Sequence, residues 1–88
     1  MRTIWKYVVK VEDRFEIEMP RGAELLNVQV QHGIPVMWAV VVPGRQVEKR
    51  TFRIVGTGHI LAQSDAEFDY LGTFQLGDFV GHVFEEKA

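Results

Sequence analysis

The amino-acid sequence predicts a mostly β fold: a single compact antiparallel sandwich or partly open barrel of six to seven short strands, with at most one short helical turn. Apolar and polar residues alternate with period two in at least four segments, which is the pattern of a half-buried strand. Glycine- and proline-bearing turn signals separate those segments, as in compact all-β domains. One run, Val36 to Val42, is apolar at every position and so asks for cover on both faces of its strand.

In the first strand Trp5, Tyr7, Val9 and Val11 alternate with Ile4, Lys6, Val8 and Lys10, giving one aromatic-rich face. Glu12-Asp13 ends it. Phe15, Ile17 and Met19 then alternate with Arg14, Glu16 and Glu18 until Pro20-Arg21-Gly22 breaks the pattern. Leu26, Val28 and Val30 follow, alternating with Asn27, Gln29 and Gln31, so these two strands are expected to form a hairpin. After Gly33-Ile34-Pro35 comes the two-sided apolar run, whose β-branched content and flanking prolines favour a strand over a helix. Phe52 and Ile54 alternate with Thr51 and Arg53 up to Gly56-Thr57-Gly58-His59. Further strands are expected near Tyr70 to Leu76 and, past Gly77-Asp78, near Phe79 to Glu85. Only Ala62 to Phe68 could hold a helical turn. The expected core is Trp5, Tyr7, Phe15, Ile17, Leu26, Val28, Val30, Phe52, Ile54, Phe74 and Phe84.

A chain of 88 residues has room for one core, so residues 1–88 are expected to form a single β-rich domain. At 47% hydrophobic and 25% charged residues it should fold rather than remain disordered. Small cores often need a staple, and zero cysteines remove the disulfide. A homo-oligomer, most simply a dimer through the two-sided strand 36–42, is the remaining expectation. Its N-terminal stretch lacks the apolar core of a signal peptide, and its longest apolar run is far short of a membrane span. A cytoplasmic location follows as an expectation. The net charge of −2 argues against a protein that coats nucleic acid.

Chemistry-bearing motifs are sparse. There is one serine, Ser64, with no nucleophile elbow or Walker sequence around it, and the three histidines His32, His59 and His82 have no metal-ligand spacing. The expectation is a protein that is not an enzyme, with neither a catalytic residue nor a cofactor or metal. The most suggestive stretch runs from Arg53 to His59. A strand ending in Gly56 and Gly58 lets backbone amides converge on an anion, Arg53 could clamp it, and Thr57 and His59 could add hydrogen bonds. A bulge or tight turn would use the same glycines. Gln31 and His32 are candidate neighbours of this site.

The strings Ile4-Trp5-Lys6-Tyr7, Val28-Gln29-Val30-Gln31-His32-Gly33 and Phe52-Arg53-Ile54-Val55-Gly56-Thr57-Gly58-His59, with Gly72-Thr73-Phe74-Gln75 and His82-Val83-Phe84-Glu85, resemble a family of small uncharacterised proteins encoded by bacteriophages and prophages. That family tends to carry a proline after the histidine where this chain has Ile60. The resemblance implies a phage-type accessory protein acting inside a bacterial host cell, for example in counter-defence. The leading expectation is sequestration of a small anionic, nucleotide-like ligand by Arg53, Gly56, Thr57, Gly58, His59, Gln31 and His32. The alternatives are a protein-binding inhibitor of a bacterial defence complex and a structural component of virion assembly.

Overall fold

The computed structural model describes residues 1–61 and 67–87. Seven strands form two antiparallel sheets: β1 (Thr3–Val8), β2 (Arg14–Pro20), β3 (Glu24–Gln31), β4 (Ile34–Val41), β5 (Val47–Gly56), β6 (Glu67–Leu76) and β7 (Phe79–Lys87). One sheet has the order β1-β4-β3, the other β2-β5-β7-β6. The two make a mostly-β sandwich. Of the stretch in which a helical turn was expected, residues 62–66 lie outside the described residues, while Glu67 and Phe68 open β6.

The alternation in the sequence dictates what each sheet buries. Phe15 and Met19 of β2, Phe52 and Ile54 of β5, Phe74 of β6 and Val83 of β7 line the inner face of the four-stranded sheet. Val28 of β3 with Met37, Ala39 and Val41 of β4 covers them from the three-stranded sheet. The sheets approach closely where Gly72 of β6 lies against Val28; a Cβ at Gly72 would stand 3.1 Å from the Val28 Cβ. No larger residue fits that approach without displacing β3.

Four expectations need correction. Strands β2 and β3 do not form a hairpin. The turn at Arg21 and Gly22, where Gly22 has φ 78°, carries the chain from one sheet to the other, and β2 pairs with β5 instead. Leu26 is not core. A β-bulge between Leu25 and Asn27 sets both against consecutive residues of β4, which turns Leu26 out to 50% exposure and packs Leu25 against the core. Trp5 has inward parity, yet it is 41% exposed because it stands on β1, an edge strand paired with β4. Phe84 is not core either: it lies on the face of β7 opposite buried Val83, half-buried on the outside of its sheet. Phe15, Val28, Phe52, Ile54 and Phe74 are buried as expected, while Tyr7, Ile17 and Val30 are half-buried against the core.

Strand β4, the two-sided apolar run, is the centre of its sheet. Met37, Ala39 and Val41 face the core. On the opposite face Val36 is only 3% exposed, and the side chains flanking β4 explain it. Lys6 Nζ of β1 donates to Gln31 Oε1 of β3 at 2.9 Å, so the lysine stem crosses β4 over Val36. Nearer the other end of β4, Arg2 meets Glu24 at 3.8 Å. Long polar side chains thus roof part of an apolar face while keeping their heads in water.

Candidate functional site

The residues singled out from the sequence separate in space. At one end of the sandwich, loop 9–13 meets the turn after β5. Ile54 donates its amide to the Asp13 carbonyl at 3.2 Å, and a cleft of about 290 Å³ opens there, with Asp13, Arg53 and His59 as its polar lining. A second cleft of about 230 Å³ is lined by Glu12, Asp13, Gly56, His59 and Phe79. Arg53, Gly56 and His59 therefore border neighbouring hollows, in the company of two carboxylates.

Two backbone amides of this segment already have protein partners. Thr57 donates to the Val80 carbonyl at 3.2 Å and His59 to the Gly56 carbonyl at 2.9 Å. Gly58 supplies the left-handed conformation, φ 85°, that closes the turn. Gly56 is there for space, since a Cβ would lie 2.9 Å from His59 Nδ1 and 3.1 Å from the Phe79 ring. Gln31 and His32 belong to the other sheet. Gln31 is bound to Lys6, and His32 with Gly33 forms a two-residue hairpin turn with φ 52° and 76°, the primed geometry that suits twisted strands.

A more ordered constellation lies on the outer face of the four-stranded sheet, and the sequence reading did not assemble it. Strand β7 presents His82, Phe84 and Glu86 at alternate positions, between β5 and β6. Both ring nitrogens of His82 are engaged: Nε2 with Thr57 Oγ1 at 2.8 Å and Nδ1 with Thr73 Oγ1 at 2.9 Å. Thr73 also meets the Tyr70 hydroxyl at 2.5 Å. The result is a continuous hydroxyl–imidazole–hydroxyl chain that fixes the orientation of the phenol.

Aromatic packing and charge extend this chain across the sheet. Phe84 meets Tyr70 edge-on at 5.7 Å between ring centroids and Phe68 at 6.4 Å. The Arg53 guanidinium carbon stands 6.0 Å from the centroid of the Phe68 ring, within cation–π range. Arg53 Nε donates to Glu86 Oε2 at 3.2 Å, and Arg14 Nε shares that oxygen at 3.4 Å. The hydrogen bond from Arg53 is the main cause holding the Glu86 carboxyl below its ordinary pKa; Arg14 adds to it and burial opposes both. Arg53 is thus already paired with a carboxylate and stacked on an aromatic ring.

The parity of His82, Phe84 and Glu86 was readable from the sequence, and it could have placed those three on one face. Their companions on β6 were not. A bulge between Tyr70 and Gly72 breaks the alternation, so Tyr70 and Thr73 share a face although three residues separate them.

The two sheets and this solvent-facing array define a mostly-β sandwich whose best-organised polar and aromatic groups lie on a sheet face. A family model matches residues 1–88, and the chain belongs to that family, Domain of unknown function (DUF7352). No curated protein and no solved structure matches the chain.

Proposed function

We propose that the protein is a non-enzymatic protein-binding module that engages its partner through the outer face of the four-stranded sheet. The carrying observation is Tyr70, which is 60% exposed yet fixed at its hydroxyl by Thr73 and at its ring by Phe84. Tyrosine and arginine dominate binding hot spots, and a side chain ordered before binding loses less entropy on association. Beside Tyr70, Phe68, Phe84 and Arg53 offer apolar area with an orienting charge. Arg14, whose side chain is 52% exposed, can reach an acidic group on the partner. In keeping with the resemblance to phage-encoded proteins, the partner is a bacterial host protein, and covering it is the counter-defence act.

Sequestration of an anionic ligand keeps one support, the shared cleft of Arg53 and His59. Against it stand Asp13 in the same cleft and Glu86 on the guanidinium, both of which repel an anion. Native mass spectrometry of protein purified from bacterial cells separates the two readings. A stoichiometric host protein that is lost with Tyr70→Ala and retained with His59→Ala supports protein binding. A co-purified nucleotide that is lost with Arg53→Ala and His59→Ala and retained with Tyr70→Ala overturns it.

A further inference from the structure

A sandwich of two open sheets has four edges, and three of them here carry features that oppose pairing with another chain. Strand β3 has the bulge at Leu26 and β6 the bulge at Leu71. Bulges interrupt the ladder a partner would need. On β2, Asp13 and Arg21 bond to the β5 side, so by alternation the backbone groups of Arg14, Glu16, Glu18 and Pro20 face outward. That edge bears three charges and a residue with no N–H to donate.

Strand β1 has none of these protections except a single lysine. Val9 donates its amide to the Pro35 carbonyl at 2.9 Å, in register with the β1–β4 ladder. Tyr7, Trp5 and Thr3 therefore also bond toward β4, and Ile4, Lys6 and Val8 direct their N–H and C=O groups to the free edge. Ile4 and Val8 are each 57% exposed, and Trp5, which points to the core side, remains 41% exposed.

We propose that β1 pairs antiparallel with β1 of a second copy, across a two-fold axis at Trp5, joining two three-stranded sheets into one of six. This surface is distinct from the one proposed for partner binding. The parity selects the register. Outward-facing residues must oppose one another, which allows the axis to fall at Ile4, Trp5, Lys6 or Tyr7. An axis at Lys6 opposes two lysines and one at Ile4 opposes Lys6 and Arg2, both destabilising. One at Tyr7 pairs only residues 6–8 of β1, whereas the arrangement centred on Trp5 sets Ile4 against Lys6 and pairs residues 3–7. It sets the two Trp5 residues as a non-hydrogen-bonded pair with Cα atoms about 4.5 Å apart, where side chains come closest. It also places Thr3 opposite Tyr7. The indole left partly uncovered by its own chain is covered by its symmetry mate. The outer face of β4 is a weaker candidate for the second copy, because Lys6–Gln31 and Arg2–Glu24 already span it.

Lys6→Pro tests the pairing directly. Its missing N–H is one that points away from β4, so the intrachain ladder is spared, whereas the dimer loses two bonds. Sedimentation equilibrium should show the parent dimerising at concentrations on the order of 100 μM, as a small interface allows. Lys6→Pro should weaken the dimer roughly tenfold to a hundredfold, while Lys6→Ala, which keeps the N–H, leaves it in place. In the Trp38→Phe variant Trp5 is the sole tryptophan, and its emission should move to shorter wavelength as dimer forms. Hydrogen exchange on the unsubstituted chain gives a reading that does not depend on any variant folding: the Ile4 and Lys6 amides should become protected as concentration rises. A parent monomeric throughout that range overturns the proposal, as does concentration-independent exchange at Ile4 and Lys6. A dimer abolished by Ile34→Lys but untouched by Lys6→Pro moves the contact to the outer face of β4 and overturns it equally.

Discussion

Arg50 shares its strand parity with Phe52 and Ile54, so its guanidinium enters the space between the sheets. It is met there by Glu85, which shares parity with Val83 on β7. The pair is bidentate, Nε to Oε2 at 2.5 Å and Nη2 to Oε1 at 2.8 Å, and Nη1 donates to the Ala23 carbonyl at the β2–β3 turn. With side chains 17% and 14% exposed, the ions occupy an end of the sandwich that apolar groups leave open. Burial there also raises the pKa of Tyr7, an effect that the charge of Arg50 opposes. Breaking a fully buried pair costs roughly 3 to 5 kcal/mol because one charge is left uncompensated. Partial exposure reduces that figure, and Arg50→Ala should cost about 2 to 3 kcal/mol in urea unfolding. The double variant Arg50→Met/Glu85→Met removes both charges and should lose less than the single one. A double variant less stable than Arg50→Ala would show that specific hydrogen bonding, rather than the orphaned charge, dominates at this position.

At the level of strands, the alternation of Phe15, Ile17 and Met19 and the two-sided character of Val36 to Val42 were legible because each follows from one strand's own periodicity. The β3 pattern misled for a definite reason. Leu25 and Leu26 are adjacent and equally apolar, and only the bulge opposite Ala39 and Trp38 decides which of them faces the core. That decision belongs to the pairing with β4. Leu25→Ala should therefore destabilise by about 2 kcal/mol, while Leu26→Ala should change stability by less than about 0.5 kcal/mol. Thermal or urea unfolding of the two variants reads the bulge directly; equal losses would mean that the register continues through Leu26. The same kind of shift at Leu71 hid the surface array, since Tyr70 and Thr73 acquire a common face only after β6 is paired with β7.

Across the whole molecule, the chain passes between sheets three times, from β1 to β2, β2 to β3 and β4 to β5, and turn residues alone do not say whether a connection folds back or crosses over. The fold class was legible and the strand order was not. The candidate site was legible only in part, because Arg53 is recruited by Glu86 from 33 positions further along the chain. Glu86 ties three strands of one sheet together, accepting from Arg14 of β2 and Arg53 of β5. Its carboxyl is held below its ordinary pKa in the folded state, so the unfolded chain takes up that proton first as acid is added. The stability this tie contributes is fully present above the ordinary glutamate value of about 4.3 and is lost as the pH falls through the lower folded-state value. The melting temperature should accordingly drop on acidification below about pH 4.5. Glu86→Gln should lower it at neutral pH and flatten the acid limb of the profile. Melting curves recorded from pH 7 to below the carboxylate range decide the matter: if the variant and parent profiles stay parallel through the acid limb, the coupling of Glu86 to the two arginines does not contribute to holding the sheet together.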